Sequence, residues 1–212
     1  MKSLRSLQEL IFPSRCIGCS ALGLEICSIC RRYWHPHIYR RWSHTSPHFP
    51  IYSAIPYSPI AGKVILAAKE RGLSSADNLI VNALAHALRY CIKEHGQGLL
   101  VPIPSRKSIA RIRGRQFITD LSHQLSEISG LPTYENLSHF RVVRDQSSLA
   151  AHDRFVNISG ALTSLRYLSG KAILIDDLVT TGATINEAAR ALREKGIEVA
   201  AAVTACVAEP LV

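Results

Sequence analysis

The chain has 212 residues, enough for one medium domain and a small appendage. With 47% hydrophobic and 19% charged residues it can bury a sizeable core, which excludes wholesale disorder. A net charge of +9 favours anionic partners (nucleic acid, phosphates or an acidic lipid surface) without choosing among them, and a merely soluble basic protein fits it as well.

Residues 1–12 are short and amphipathic and carry Glu9, a poor export signal. No apolar run reaches the roughly 18 residues of a spanning helix, so stable membrane insertion is not expected and the chain reads as cytoplasmic. Cys16-x-x-Cys19 and Cys27-x-x-Cys30 form two close pairs. Each pair can fold as a knuckle presenting two thiolates, and together they complete the closed four-thiolate shell of a structural zinc site. Two disulfides are the alternative. Cys91 and Cys206 stand alone in apolar surroundings and read as buried thiols. Arg31-Arg32-Tyr33-Trp34 and Arg40-Arg41-Trp42 mix cations with rings, a mixture that suits single-stranded nucleic acid and an ordinary domain interface equally. Residues 1–45 thus form a zinc-binding module, a Pro-, Ser- and His-rich stretch over 42–50 reads as a linker, and residues 46–212 form the main domain.

From there strands and helices alternate. Residues 51–57 read as a strand, 60–71 as a helix stopped by Gly72, and 76–94 as a longer helix stopped by Gly96. A short buried strand is expected over 99–103, a helix over 115–129 ended by Gly130, and a strand over 140–143. The continuous apolar run 172–175 suits a strand buried on both faces of a parallel sheet. A helix over 184–195, capped by Gly196, leads to an apolar strand over 199–207. The fold class is therefore α/β, a doubly wound and mostly parallel sheet with the small four-cysteine module at its N-terminal end.

Between the last strands lies Ile173-Leu174-Ile175-Asp176-Asp177-Leu178-Val179-Thr180-Thr181-Gly182-Ala183-Thr184. An apolar strand runs into two carboxylates, a short threonine and glycine loop, and a helix. Open α/β sheets bind ligands at the carboxyl ends of their strands. Successive amides over 180–184 and the helix N-terminus can cradle a phosphate, and Gly182 allows close approach. Asp176 and Asp177 can accept hydrogen bonds from ribose hydroxyls. A turn in which Thr and Asp only cap the helix is the plainer alternative. Upstream, Arg106, Lys107, Arg111, Arg113 and Arg115 form a basic run after a strand end. It suits a diphosphate or a nonspecific basic surface, and Lys69 and Arg71 are further candidates for ligand contact.

The segment 173–184 resembles the phosphoribosyl-diphosphate (PRPP) signature of type I phosphoribosyltransferases. That resemblance implies Asp176 and Asp177 on the ribose, and Thr180, Thr181, Gly182, Ala183 and Thr184 on the 5-phosphate. It also implies Mg2+ carried by ligand oxygens rather than by a protein cage. Over nearly its whole length the chain is similar to the ComF family. The matching elements are Phe12-Pro13-x-x-Cys16, Lys69-x-x-Gly72, Val101-Pro102-Ile103-Pro104, Arg113-Gly114, Gln146-x-x-Leu149 and Arg154-x-x-Asn157. The chain departs from the family at Arg115-Gln116-Phe117, where the family usually reads Phe-Asn-Gln.

The family resemblance implies a role in natural transformation, handling incoming single-stranded DNA in the cytoplasm. Arg31, Arg32, Arg111, Arg113 and Arg115 are the DNA candidates, and a DNA-translocation helicase is the implied partner. Two other functions stay open: an active phosphoribosyltransferase acting on a nitrogenous acceptor, and a PRPP-sensing regulator.

Overall fold

The computed structural model describes residues 14–140 and 158–208. Four strands run parallel: β2 (Pro50–Pro56), β3 (Leu99–Pro102), β6 (Ala172–Val179) and β7 (Val199–Val207). β1 (Tyr39–Trp42) adds an antiparallel edge on β2, giving the order β1-β2-β7-β6-β3. The result is mixed α/β with a mostly parallel central sheet. Among the described residues no helix is long and apolar enough to cross a membrane.

Pleating sends alternate residues of the central strands into two cores. Ile173, Ile175, Ala201 and Val203 pack with α2 (Pro59–Arg71), α3 (Ser74–His95) and α5 (Phe117–Ser129). Leu174 and Ala202 pack on the other face with α6 (Ala183–Arg193). The helix ends follow local chemistry. Ser58 caps α2 by accepting from Ala61 N–H at 3.1 Å, and Gly72 ends the helix at φ 59°, a left-handed conformation that glycine adopts freely.

Several boundaries differ from expectation. β6 runs on to Val179, so both aspartates lie within the strand and not beyond it. Residues 107–113, read from the sequence only as part of a basic run, form the short helix α4 (Lys107–Arg113), and α5 starts at Phe117. β4 (Leu137–His139) pairs antiparallel with β5 (Leu162–Ser164) in a separate small sheet, and the strand expected over 140–143 falls mostly outside the described residues. So do Phe12-Pro13, Gln146-x-x-Leu149 and Arg154-x-x-Asn157.

The stretch 42–50 is tied to the sheet at both ends. Trp42 pairs with Pro50, Ser43 N–H donates to Phe49 O at 2.9 Å, and Phe49 N–H donates to the Ser43 hydroxyl at 2.9 Å. The cysteine module, with α1 (Ser28–Arg31), shares its core with the sheet, since Cys16, Ile17, Ile26, Cys30 and Trp34 pack into the α2 and α3 side. Cys91 and Cys206 are buried free thiols, as expected.

The small sheet is held by one buried amide. Asn136 Nδ2 donates to Ser164 Oγ and to Arg166 O, both at 2.9 Å, and its Oδ1 accepts from Arg166 N–H at 3.1 Å. Asn136→Ala strands these groups in the interior and is expected to cost about 2–3 kcal/mol. Urea unfolding checks it, and a loss below about 0.5 kcal/mol would contradict this role.

Candidate functional site

At the carboxyl ends of the parallel strands, a cavity of about 430 Å³ is lined by Lys69, Asp176, Leu178 and the run 179–185. A second, of about 410 Å³, adjoins it and shares Lys69, Asp176, Leu178, Thr180 and Thr184; Arg106, Arg113, His139 and Asp177 also line it. Apolar Ile103, Ile109, Ile118 and Ile158 complete much of its wall.

The cradle follows from the way β6 hands over to α6. Gly182 has φ 73° and turns the chain into the helix. A Cβ there meets Asn186 Nδ2 at 3.4 Å. Asn186 fastens the turn, donating to Gly182 O at 2.8 Å and accepting from Thr45 N–H at 3.3 Å and Thr45 Oγ1 at 2.9 Å. Ala183 N–H points to Thr181 Oγ1 at 3.4 Å. Among the described residues the N–H groups of Thr181, Gly182 and Thr184 have no acceptor. Helix starts leave such donors, and an anion satisfies them.

The two acids play different parts because the pleat sends them to opposite faces. Asp177 is 4% exposed and meets Lys69 Nζ at 2.7 Å. Apart from that ammonium its Oδ2 has no hydrogen-bond donor among the described residues. Burial opposes the charge on Lys69, but Asp177 and Asp176 outweigh it and hold its pKa above the ordinary value. Asp176 is partly accessible and lines both cavities. Its Oδ1 accepts from Asp177 N–H at 2.9 Å, yet desolvation, reinforced by the neighbouring Asp177 charge, pushes its pKa well up.

The basic run divides as well. Arg106 lines the second cavity, while Lys107 turns to a separate small cavity with Gln116 and Glu135. Arg113 donates to Glu70 at 2.6 Å and 3.1 Å. Arg115 pairs with Asp77 at 2.8 Å and Asp120 at 3.0 Å and lies over the Phe117 ring. Arg31, Arg32 and Arg111 are exposed and line neither strand-end cavity.

Gln116 sits at the departure from the family pattern. It buckles the β3 loop through Ser105 N–H to Oε1 at 3.1 Å and Nε2–H to Ser105 O at 3.3 Å. This clamp, Thr45, Asn186 and His139 were not singled out from sequence. All depend on tertiary approach; only the unusual position of Gln116 within its motif was a visible signal.

The four cysteines of the module come together, with their Sγ atoms all within 4.8 Å of one another. A tetrahedral zinc with Zn–S near 2.3 Å needs sulfurs about 3.8 Å apart, and Cys19 and Cys27 lie at 3.6 Å. All four are free thiols. Burial opposes ionisation of Cys16, but the N–H groups of Cys27, Cys19 and Gly18 bring its pKa down to about 6. Burial and the other thiols push Cys30 up to about 12. Such a cluster fits a dication that lets every thiolate ionise. Four sulfur ligands would leave no open position, so a zinc held there would be structural.

No protein-family model matches the chain. A curated relative is the Competence protein F of Haemophilus influenzae, 28% identical over 130 residues. The aligned stretch covers 58% of this chain and 57% of that protein, so the chain spans little more than half the length of the relative it matches.

Because its folded pKa lies above the unfolded one, Asp176 binds more protons folded than unfolded, and its ionisation weakens the fold as pH rises through that window. Asp176→Asn is therefore expected to raise the melting temperature at neutral pH, with the gain vanishing below the usual carboxylate range. Thermal melts from pH 3 to pH 8 check this; a loss of stability at pH 7 would contradict it.

Proposed function

We propose that this chain, a ComF-family protein on the strength of that relative and of its four-cysteine cluster, binds PRPP in the cavities at the ends of β6 and β3. The similarity to a protein named for competence supports a role in competence. Within it we assign the chain the handling of incoming single-stranded DNA in the cytoplasm, with a DNA-translocation helicase as partner.

One observation carries the PRPP reading. Among the described residues the N–H groups of Thr181, Gly182 and Thr184 have no acceptor, and these three residues line the same cavity as Asp176, an acid under electrostatic pressure, and Lys69. A sugar bearing phosphates answers all three. The run 180–184 takes the 5-phosphate and Asp176 takes the ribose hydroxyls. Lys69 and Arg106 face the diphosphate, and Asp177 fixes Lys69. Magnesium rides on diphosphate and ribose oxygens.

Calorimetry with PRPP and Mg2+ tests this. Asp176→Asn is expected to weaken binding at least tenfold, about 1.4 kcal/mol, and unchanged affinity would reject the assignment. The adjoining cavity, with His139 and Arg106 beside the shared Asp176, favours a second reading: transfer of phosphoribosyl to a nitrogenous acceptor. Diphosphate released only when an acceptor is added would establish it over simple binding.

For nucleic acid, the exposed Arg31, Arg32 and Arg111 are the cations available for phosphate, whereas Arg113 and Arg115 are engaged with carboxylates. Arg31→Ala is expected to weaken single-stranded DNA binding and lower its salt slope by about 1. Anisotropy titrations over a range of salt concentrations check it, and an unchanged slope removes Arg31 from the interface.

A further inference from the structure

The cysteine module and the strand-end cavity are joined by one helix. At the start of α2, Lys63 Nζ donates to Gly18 O at 2.6 Å, and Gly18 lies between the two cysteines of the first knuckle. Gly18 is also wedged in place, since a Cβ there falls 2.6 Å from Cys30 Sγ and 3.0 Å from Ile60 Cδ1. A ligand cysteine, the knuckle glycine and the first turn of α2 are therefore stacked with no slack. At the other end of the same helix, Lys69 reaches Asp177 at 2.7 Å and Glu70 receives Arg113 at 2.6 Å. Lys69 and Arg113 both line the second cavity, and Lys69 the first as well. Lys63 and Lys69 are about 9 Å apart along the helix axis, a short and stiff span.

We infer that occupancy of the four-cysteine site and occupancy of the strand-end cavity are thermodynamically linked through α2, with Lys63 as the positioning residue at the join. This rests on the PRPP reading above. The module has little core of its own, so metal supplies much of its order. A loosened knuckle deprives Lys63 of its acceptor and Ile60 of its support, and the helix that aims Lys69 loses its seat. Linkage is reciprocal, so PRPP must strengthen metal binding by the factor by which metal strengthens PRPP binding.

The test measures zinc affinity of the full chain by chelator competition, with and without saturating PRPP and Mg2+. The expected result is roughly a fivefold or greater gain in zinc affinity with PRPP. Lys63→Met leaves every cysteine in place; it should retain one zinc per chain while the gain falls toward one. Equal zinc affinity with and without PRPP, in a wild-type chain that calorimetry shows to bind PRPP, overturns the linkage alone. A chain that binds no PRPP overturns the underlying reading and the linkage with it. An undiminished gain in Lys63→Met overturns the role of Lys63, and if that variant does not fold, the wild-type comparison decides.

Discussion

The approach of Lys69 Nζ to within 2.7 Å of the Asp177 carboxylate is what lets an acidic pair stand at the end of a buried strand. An unpaired carboxylate in that place is strongly unfavourable, and two adjacent ones more so. The ammonium neutralises one acid, and the pleat turns the other toward the cavity. The same contact fixes α2 against β6, and the next residue, Glu70, holds Arg113 at the end of α4. Walls drawn from β6, α2 and α4 thus take their positions from neighbouring ion pairs on one helix. Without Lys69, Asp177 would stand in the interior without its cation, and its rearrangement would reshape the floor on which Asp176 sits.

Local chemistry was legible where it is self-contained. The helix stops at Gly72, Gly96 and Gly130 follow from glycine's conformational freedom, and the cysteine spacing foretold a cluster that closes within 4.8 Å. The parallel strands could be read from apolar runs. What failed was what depends on partners distant in sequence. An apolar run that stops at Ile175 reads as a strand that stops there. β6 continues to Val179 because β7 offers pairing as far as Val207 and because Lys69 neutralises Asp177. β1 is rich in arginine and has no apolar alternation to announce it; it exists because Pro50–Pro56 presents an open edge. α4 buries none of its residues, so its basic sequence carried no helical pattern, only charge. The basic run shows the same limit at the level of function. Five cations looked alike in sequence, yet two of them, Arg113 and Arg115, are held by carboxylates from other elements.

The unsatisfied groups narrow the ligand further than the fold does. Free inorganic phosphate would answer the N–H groups of Thr181, Gly182 and Thr184 but would bring more negative charge toward Asp176, already hard to ionise. A neutral sugar would give Asp176 its hydroxyl donors and leave the cradle empty. A nucleobase would fill the apolar wall of Ile103, Ile109, Ile118 and Ile158 and satisfy neither. The proposed ligand, with hydroxyls set a few ångströms from a phosphate, would meet both demands at once, and its second anionic group would meet Lys69 and Arg106 across the shared floor. The acid's raised pKa has the same sense: a carboxylate that burial and a neighbouring charge keep from ionising gains most from a ligand that brings hydrogen-bond donors and a cation with it. Binding and the ionisation of Asp176 are then favoured by the same contacts, which is why stability and affinity should move in opposite directions when that carboxylate is replaced by an amide.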